Sequence, residues 1–95
     1  MRLTQSEIEA IKQTFLDVFH DGEIYLFGSR VDDNQKGGDI DLFINRPINA
    51  SFLKKIEFLS LLKQKIGDQK IDVILSRDKK RLIEQEALRK GIKLC

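Results

Sequence analysis

Two short apolar segments of this chain carry aspartates in the same phase: Asp39-Ile40-Asp41-Leu42-Phe43-Ile44 and Lys70-Ile71-Asp72-Val73-Ile74-Leu75. Each alternates at period two, the mark of a β-strand whose two faces differ in polarity. Ile40, Leu42 and Ile44, with Ile71, Val73 and Leu75, then form one apolar face, and Asp39, Asp41 and Asp72 leave by the other. Between the segments Phe52, Ile56, Leu59, Leu62 and Ile66 recur at helical spacing up to Gly67, which can end a helix. A strand, a helix and a second strand of one sheet favour a right-handed crossover, so the two strands should run parallel with Asp41 beside Asp72.

The flanking sequence completes the expected order. Thr4 followed by Glu7 reads as a capping box, and Ile8, Ile11, Phe15, Val18 and Phe19 carry a first helix to about Phe19. Asp21-Gly22 breaks it, and Glu23 to Phe27 is a short aromatic strand ending at Gly28-Ser29. Arg30 to Gly38 is a polar loop with one helical turn allowed after Ser29, and Pro47 and Asn49 close the second strand. Leu82, Ile83, Ala87 and Lys90 mark a last helix stopped at Gly91, with Ile92 and Leu94 trailing. The expectation is an α/β (α+β) fold of order α-β-β-α-β-α, a small mixed β-sheet with its helices packed on one face. A loop between the first two strands implies an antiparallel pair, which would set Gly28-Ser29 beside the start of the second strand.

Ninety-five residues suit one domain, 1–95, because two separate cores would each be too small to offset their ordering entropy. A 41% hydrophobic and 34% charged composition is that of an ordinary globular protein. The net charge of +2 gives no case for nucleic acid as a partner. Nothing reads as an export signal or an apolar run of membrane-spanning length, so a cytoplasmic location is expected. Cys95 is the single cysteine and His20 the single histidine, so any metal ligands must be carboxylates. Oxygen ligands imply a hard cation, Mg²⁺ or Mn²⁺.

Taken singly, these features are ordinary. Paired carboxylates on a strand usually form a solvated face, and a Gly-Ser after a strand is usually only a turn. Asp72 between Ile71 and Val73 is harder to dismiss, because an unpaired carboxylate there is costly unless it meets a cation or water. Together the three acids repel one another, and two divalent ions about 3.5–4 Å apart would relieve that repulsion and neutralise a triphosphate. The Gly28 turn would let backbone N–H groups approach phosphates, Ser29 would add a hydroxyl donor, and Arg30 is either a further phosphate contact or a surface charge.

Leu-Phe-Gly-Ser-Arg at 26–30, Gly-Gly-Asp-Ile-Asp-Leu-Phe-Ile at 37–44 and Lys-Ile-Asp-Val-Ile-Leu at 70–75 resemble the minimal nucleotidyltransferases of the DNA polymerase β superfamily. The likeness spans almost the whole chain, with its weight on the Gly-Ser and Asp-x-Asp elements. It implies that Asp39 and Asp41 bind both metals, that Asp72 helps bind the catalytic metal and accepts a proton, and that Gly28 and Ser29 anchor the nucleoside triphosphate. Nine residues separate Ser29 from Asp39, where about ten is commonest, a change that a surface loop tolerates. Larger relatives carry a further domain that binds the acceptor or the base, so a partner is expected to complete this site.

The resemblance also implies pairing with a small helical HEPN-type protein as toxin and antitoxin. Under the first reading the chain transfers AMP from ATP to a hydroxyl, such as a tyrosine of that partner. Under the second it is an antitoxin that neutralises its partner by binding, with Phe43, Phe52, Phe58 or the apolar tail as the interface, although large apolar residues are more often core. A third reading, modification of a small hydroxylated molecule or an RNA end, ranks below both, since Lys54, Lys55, Lys63, Lys65, Lys70 and the 77–81 segment are interleaved with acids. Self-association into a homo-oligomer is left open. His20 and Cys95 have no sequence partner that would make them ligand or nucleophile.

Overall fold

The computed structural model describes residues 1–32, 34, 38–46, 51–78 and 80–95. Helix α1, Gln5–Phe19, opens with the expected capping box: Glu7 N–H donates to Thr4 Oγ1 at 3.1 Å and Thr4 N–H to Glu7 Oε1 at 2.8 Å. Strand β1, Glu23–Phe27, leads into a short 3₁₀ turn, Gly28–Val31, where one helical turn was allowed. Strand β2 is Ile40–Asn45, helix α2 Phe52–Ile66, strand β3 Ile71–Leu75 and helix α3 Leu82–Lys90. Pro47 and Asn49, expected to close β2, lie outside the described residues.

The chain then adds an element that the sequence reading lacked. Ile92–Lys93 form β4, antiparallel to β1, where a loose apolar tail was expected. Leu94 N–H donates to Ile24 O at 2.8 Å and Ile24 N–H to Cys95 O at 3.2 Å. The sheet order is β3-β2-β1-β4, with β1 antiparallel to β2 and β2 parallel to β3. Both pairings match the directions inferred from the connections.

The apolar alternation becomes the core. Ile24, Leu26, Ile40, Leu42, Ile44, Ile71, Val73 and Leu75 pack in one cluster with Ile11, Phe15, Val18 and Phe19 of α1 and Phe58 and Leu62 of α2. Phe19 bridges the two helices, its ring 5.8 Å from those of both Phe15 and Phe58. Each such side chain contributes about 1.5–3 kcal/mol on leaving water, which is why this face determines the strand register. Phe58 belongs to this face, whereas Phe52 and Ile56, expected on it, are 62% and 47% exposed. Sequence spacing identified the α2 stripe but not the point at which its first turn runs past the core.

Helices α1 and α2 thus cover the face that the alternation reserves for them. Helix α3 lies against β1, and its Ala87 is fully buried outside that cluster, as is Phe43 of the carboxylate face, which meets Tyr25 at 6.1 Å between ring centroids. Ile83 of α3 lines a groove together with Asp41, Asp72 and Ile74. Glu84 anchors this helix. Fully buried, it accepts from Ser76 Oγ at 2.7 Å and from the Arg77 and Asp78 N–H groups at 3.1 and 3.0 Å, with Arg81 Nη1 3.3 Å away. Burial alone would raise its pKa, but these donors and the guanidinium outweigh it and hold the carboxyl below its ordinary value.

Removing this acceptor strands two backbone donors and a hydroxyl, so Glu84→Ala should cost about 2–3 kcal/mol in urea unfolding. A loss near zero would mean that the 76–78 turn and α3 are held together by other contacts.

Candidate active site

The register of the sheet gathers the acids. Asp41 stands opposite Asp72 across the parallel β2–β3 pair and opposite Phe27 across the antiparallel β1–β2 pair. Ile40 N–H donates to Lys70 O at 3.0 Å, extending the ladder to the edge where Asp39 precedes β2. Asp39, Asp41 and Asp72 therefore share one face and one end of the sheet, as the alternation required.

Charge crowding is visible at Asp41. Its pKa is raised above the ordinary value first by burial, then by the carboxylates of Asp72 and Asp39, with Lys70 opposing. Lys70 Nζ lies 3.4 Å from Asp39 Oδ2, a cation already drawn to the cluster and one that sequence reading treated as surface charge. As the side chains stand, no set of three or more His, Cys, Asp or Glu among the described residues forms a ready-made metal cage. Closing the trio on one ion requires Asp39 to exchange Lys70 for that ion. The donor chemistry fits: three carboxylates on one face, one of them held away from easy ionisation by burial and by the other two, suit a hard divalent cation.

Gly28 follows β1 at φ +77°, and a Cβ there would collide with Asp41 Oδ2. Only glycine lets this turn press directly on the central carboxylate. Gly38 plays the same part on the opposite side: at φ +90°, a Cβ would strike Ser29 Oγ, so the residue before Asp39 packs on the Gly28-Ser29 turn. Gly38 stands in the Gly-Gly-Asp run, where the sequence hinted at it without assigning a role.

Arg30 is engaged from within. Its Nη1 donates to Arg2 O at 2.8 Å, Nη2 to Gln69 Oε1 at 3.2 Å and Nε to Gly38 O at 3.3 Å. Gln69 in turn donates to Glu7 Oε2 at 2.6 Å, tying the approach to β3 to the first turn of α1. Arg2 closes the network by donating from Nη2 to Ser29 O at 2.9 Å and from its backbone N–H to Arg30 O at 2.7 Å. Arg30 thus joins four segments around the site. Arg2, Gly38, Gln69 and Lys70 are the participants that sequence reasoning missed; apart from Gly38 their roles depend on contacts between residues far apart in sequence.

Two grooves open at the acids and at the turn beside them. One, about 420 Å³, is lined by Asp41, Asp72, Phe27, Lys55 and Ile83. The other, about 530 Å³, runs between the Gly28-Ser29 turn and the Glu86 and Lys90 side chains of α3. A glycine turn pressed on a row of carboxylates, with an open groove beside each, leaves the acids accessible from solvent.

Comparison with protein families places residues 9–95 in "Polymerase beta, Nucleotidyltransferase", and the chain belongs to that family. Comparison with curated protein sequences finds no match. Among solved structures, a chain from a crystal structure of a mutant toxin–antitoxin pair, MntA–HpeT, superposes with a TM-score of 0.76 at 20% identity. The match covers 93% of this chain and 72% of that one, and it establishes the shared nucleotidyltransferase fold. No helix among the described residues is long and apolar enough to cross a membrane.

The raised pKa of Asp41 has a definite sign. A carboxyl that holds its proton more firmly when folded contributes most to stability at low pH, and that contribution declines as pH rises through and above the ordinary carboxylate range, about pH 4. In EDTA, Asp41→Asn should therefore be more thermostable than wild type at neutral pH, with the gap narrowing toward about pH 4. Equal melting temperatures at both pH values would show that neither burial nor the neighbouring acids disfavour the charged Asp41 carboxylate.

Proposed function

We propose that this domain is a Mg²⁺-dependent nucleotidyltransferase that moves AMP from ATP to a hydroxyl of a protein partner, a tyrosine of a small HEPN-type helical protein. Membership of the nucleotidyltransferase family supports the reaction class, and the carboxylate row pressed against the Gly28-Ser29 turn is the observation that carries it. Asp39, Asp41 and Asp72 would hold the metal, with Mn²⁺ as an alternative to Mg²⁺. Divalent ions bound there would neutralise the triphosphate and polarise its α-phosphate. The Gly28 and Ser29 N–H groups and the Ser29 hydroxyl would hold the phosphates, and Arg30 would keep that turn in place through Gly38 and Arg2.

In the transfer step the acceptor oxygen forms a bond to the α-phosphorus as the bond to the β-phosphate oxygen breaks. Pyrophosphate leaves with that electron pair, and the hydroxyl proton passes to the Asp72 carboxylate. The structural neighbour comes from a toxin–antitoxin pair, which supports a protein as the acceptor.

A second reading has its own observation. Phe52 and Leu53 are 62% and 76% exposed at the start of α2, an apolar surface suited to a partner that is neutralised by binding alone. Phe43 and Phe58, offered for such an interface from sequence, are buried in the fold and unavailable.

Incubation with α-labelled ATP, Mg²⁺ and the HEPN-type helical partner should label that partner, and Asp39→Asn should reduce labelling at least ~100-fold, in line with loss of a group acting at the transferred phosphoryl. Unlabelled partner that is nonetheless neutralised by the wild type and Asp39→Asn alike would overturn transfer in favour of binding.

A further inference from the structure

We propose that Lys90 of α3 is the cation that grips the outer phosphates of the triphosphate, a deeper assignment that rests on the nucleotidyltransferase reading above. The groove beside the Gly28-Ser29 turn has Gly28, Ser29 and Asp32 on one wall and Glu86 and Lys90 on the other. Lys90 is the basic residue of that lining. Arg30, the cation adjacent to the turn in sequence, directs Nε, Nη1 and Nη2 to Gly38, Gln69 and Arg2 and forms part of the scaffold. A triphosphate laid along the turn brings several negative charges past Asp32 and Glu86, and carboxylate ligands gathered at its α-phosphate end offer nothing positive at the other end. Lys90 supplies that charge from across the groove.

The side chain is already poised for the exchange. Lys90 Nζ sits 3.1 Å from Glu86 Oε1, and it is 66% exposed, so the pair is solvated and weak. Glu86 also receives Arg89 Nη2 at 2.8 Å on its second oxygen. When Lys90 turns to a phosphate, Glu86 keeps a cationic partner and no carboxylate is left unpaired. Lysine suits the task as a compact charge on a flexible stem that can swing between two anions.

The inference is tested by calorimetric titration of MgATP, and separately of MgADP and AMP, into the full chain as wild type, Lys90→Ala, Lys90→Arg and Asp39→Asn, with Lys63→Ala as a control on exposed α2 surface. Lys90→Ala should weaken MgATP roughly tenfold, the effect of losing one charge-assisted hydrogen bond. AMP should bind it as it binds wild type, and Lys90→Arg should recover most of the affinity. Lys90→Ala that binds MgATP as tightly as wild type and Lys63→Ala, while Asp39→Asn loses it, would overturn the role of Lys90 and leave the nucleotidyltransferase reading standing. Equal weakening of AMP and MgATP would place Lys90 at the nucleoside rather than the outer phosphates and would also overturn it. A wild-type chain that takes up no MgATP would bring down both.

Discussion

The parallel pairing of β2 with β3 is the constraint on which the site depends. Ile40 and Leu42 face the same core as Ile71 and Val73, and the register that packs them sets Asp41 against Asp72. A slip of β3 by one residue would move Ile71, Val73 and Leu75 to the wrong face, and each costs on the order of 1.5–3 kcal/mol to expose. Core burial thus holds two carboxylates at neighbouring positions that their mutual repulsion would otherwise separate. Burial and the neighbouring acids together raise the pKa of Asp41, and Lys70 lies 3.4 Å from Asp39 as a counter-charge. The apolar side of the sheet does the assembling, and the polar side carries the chemical consequence.

The turn that meets this row is placed by contacts of a different kind. Backbone at Gly28 and Gly38 approaches Asp41 and Ser29 more closely than any side chain would allow. Arg30 and Arg2 then hold the turn through main-chain acceptors, so two cations near the site are engaged in its scaffold. Helix α3 finishes the arrangement. Anchored by Glu84 to the segment that leaves β3, it presents Ile83 toward the carboxylates and Lys90 toward the turn. One buried acid therefore links the geometry of the two grooves.

Much of this was legible in the amino-acid order because period and face follow directly from it. The alternation at 39–44 and 70–75 announced both strands, their shared acidic face and their parallel direction, and Thr4 with Glu7 fixed the start of α1. Strand β4 was not legible, since two residues are too few to display a period and its pairing with β1 is a tertiary event. The exposure of Phe52 and Ile56 escaped for a related reason: spacing gives the direction of a helix face but not where along the helix its cover ends. Lys70, Arg2 and Gln69 act through partners distant in sequence, and Arg30 looked like a free cation until its acceptors were placed.

The claim at the centre is that acids from separate strands work as one cation-binding unit. Electron paramagnetic resonance of Mn²⁺ titrated with an unreactive ATP analogue tests it most directly, by counting bound ions for wild type, Asp41→Asn and Asp72→Asn. Uptake is expected in the wild type and its loss in both variants, although the two positions lie on different strands. Full Mn²⁺ uptake by the Asp72→Asn chain would contradict it.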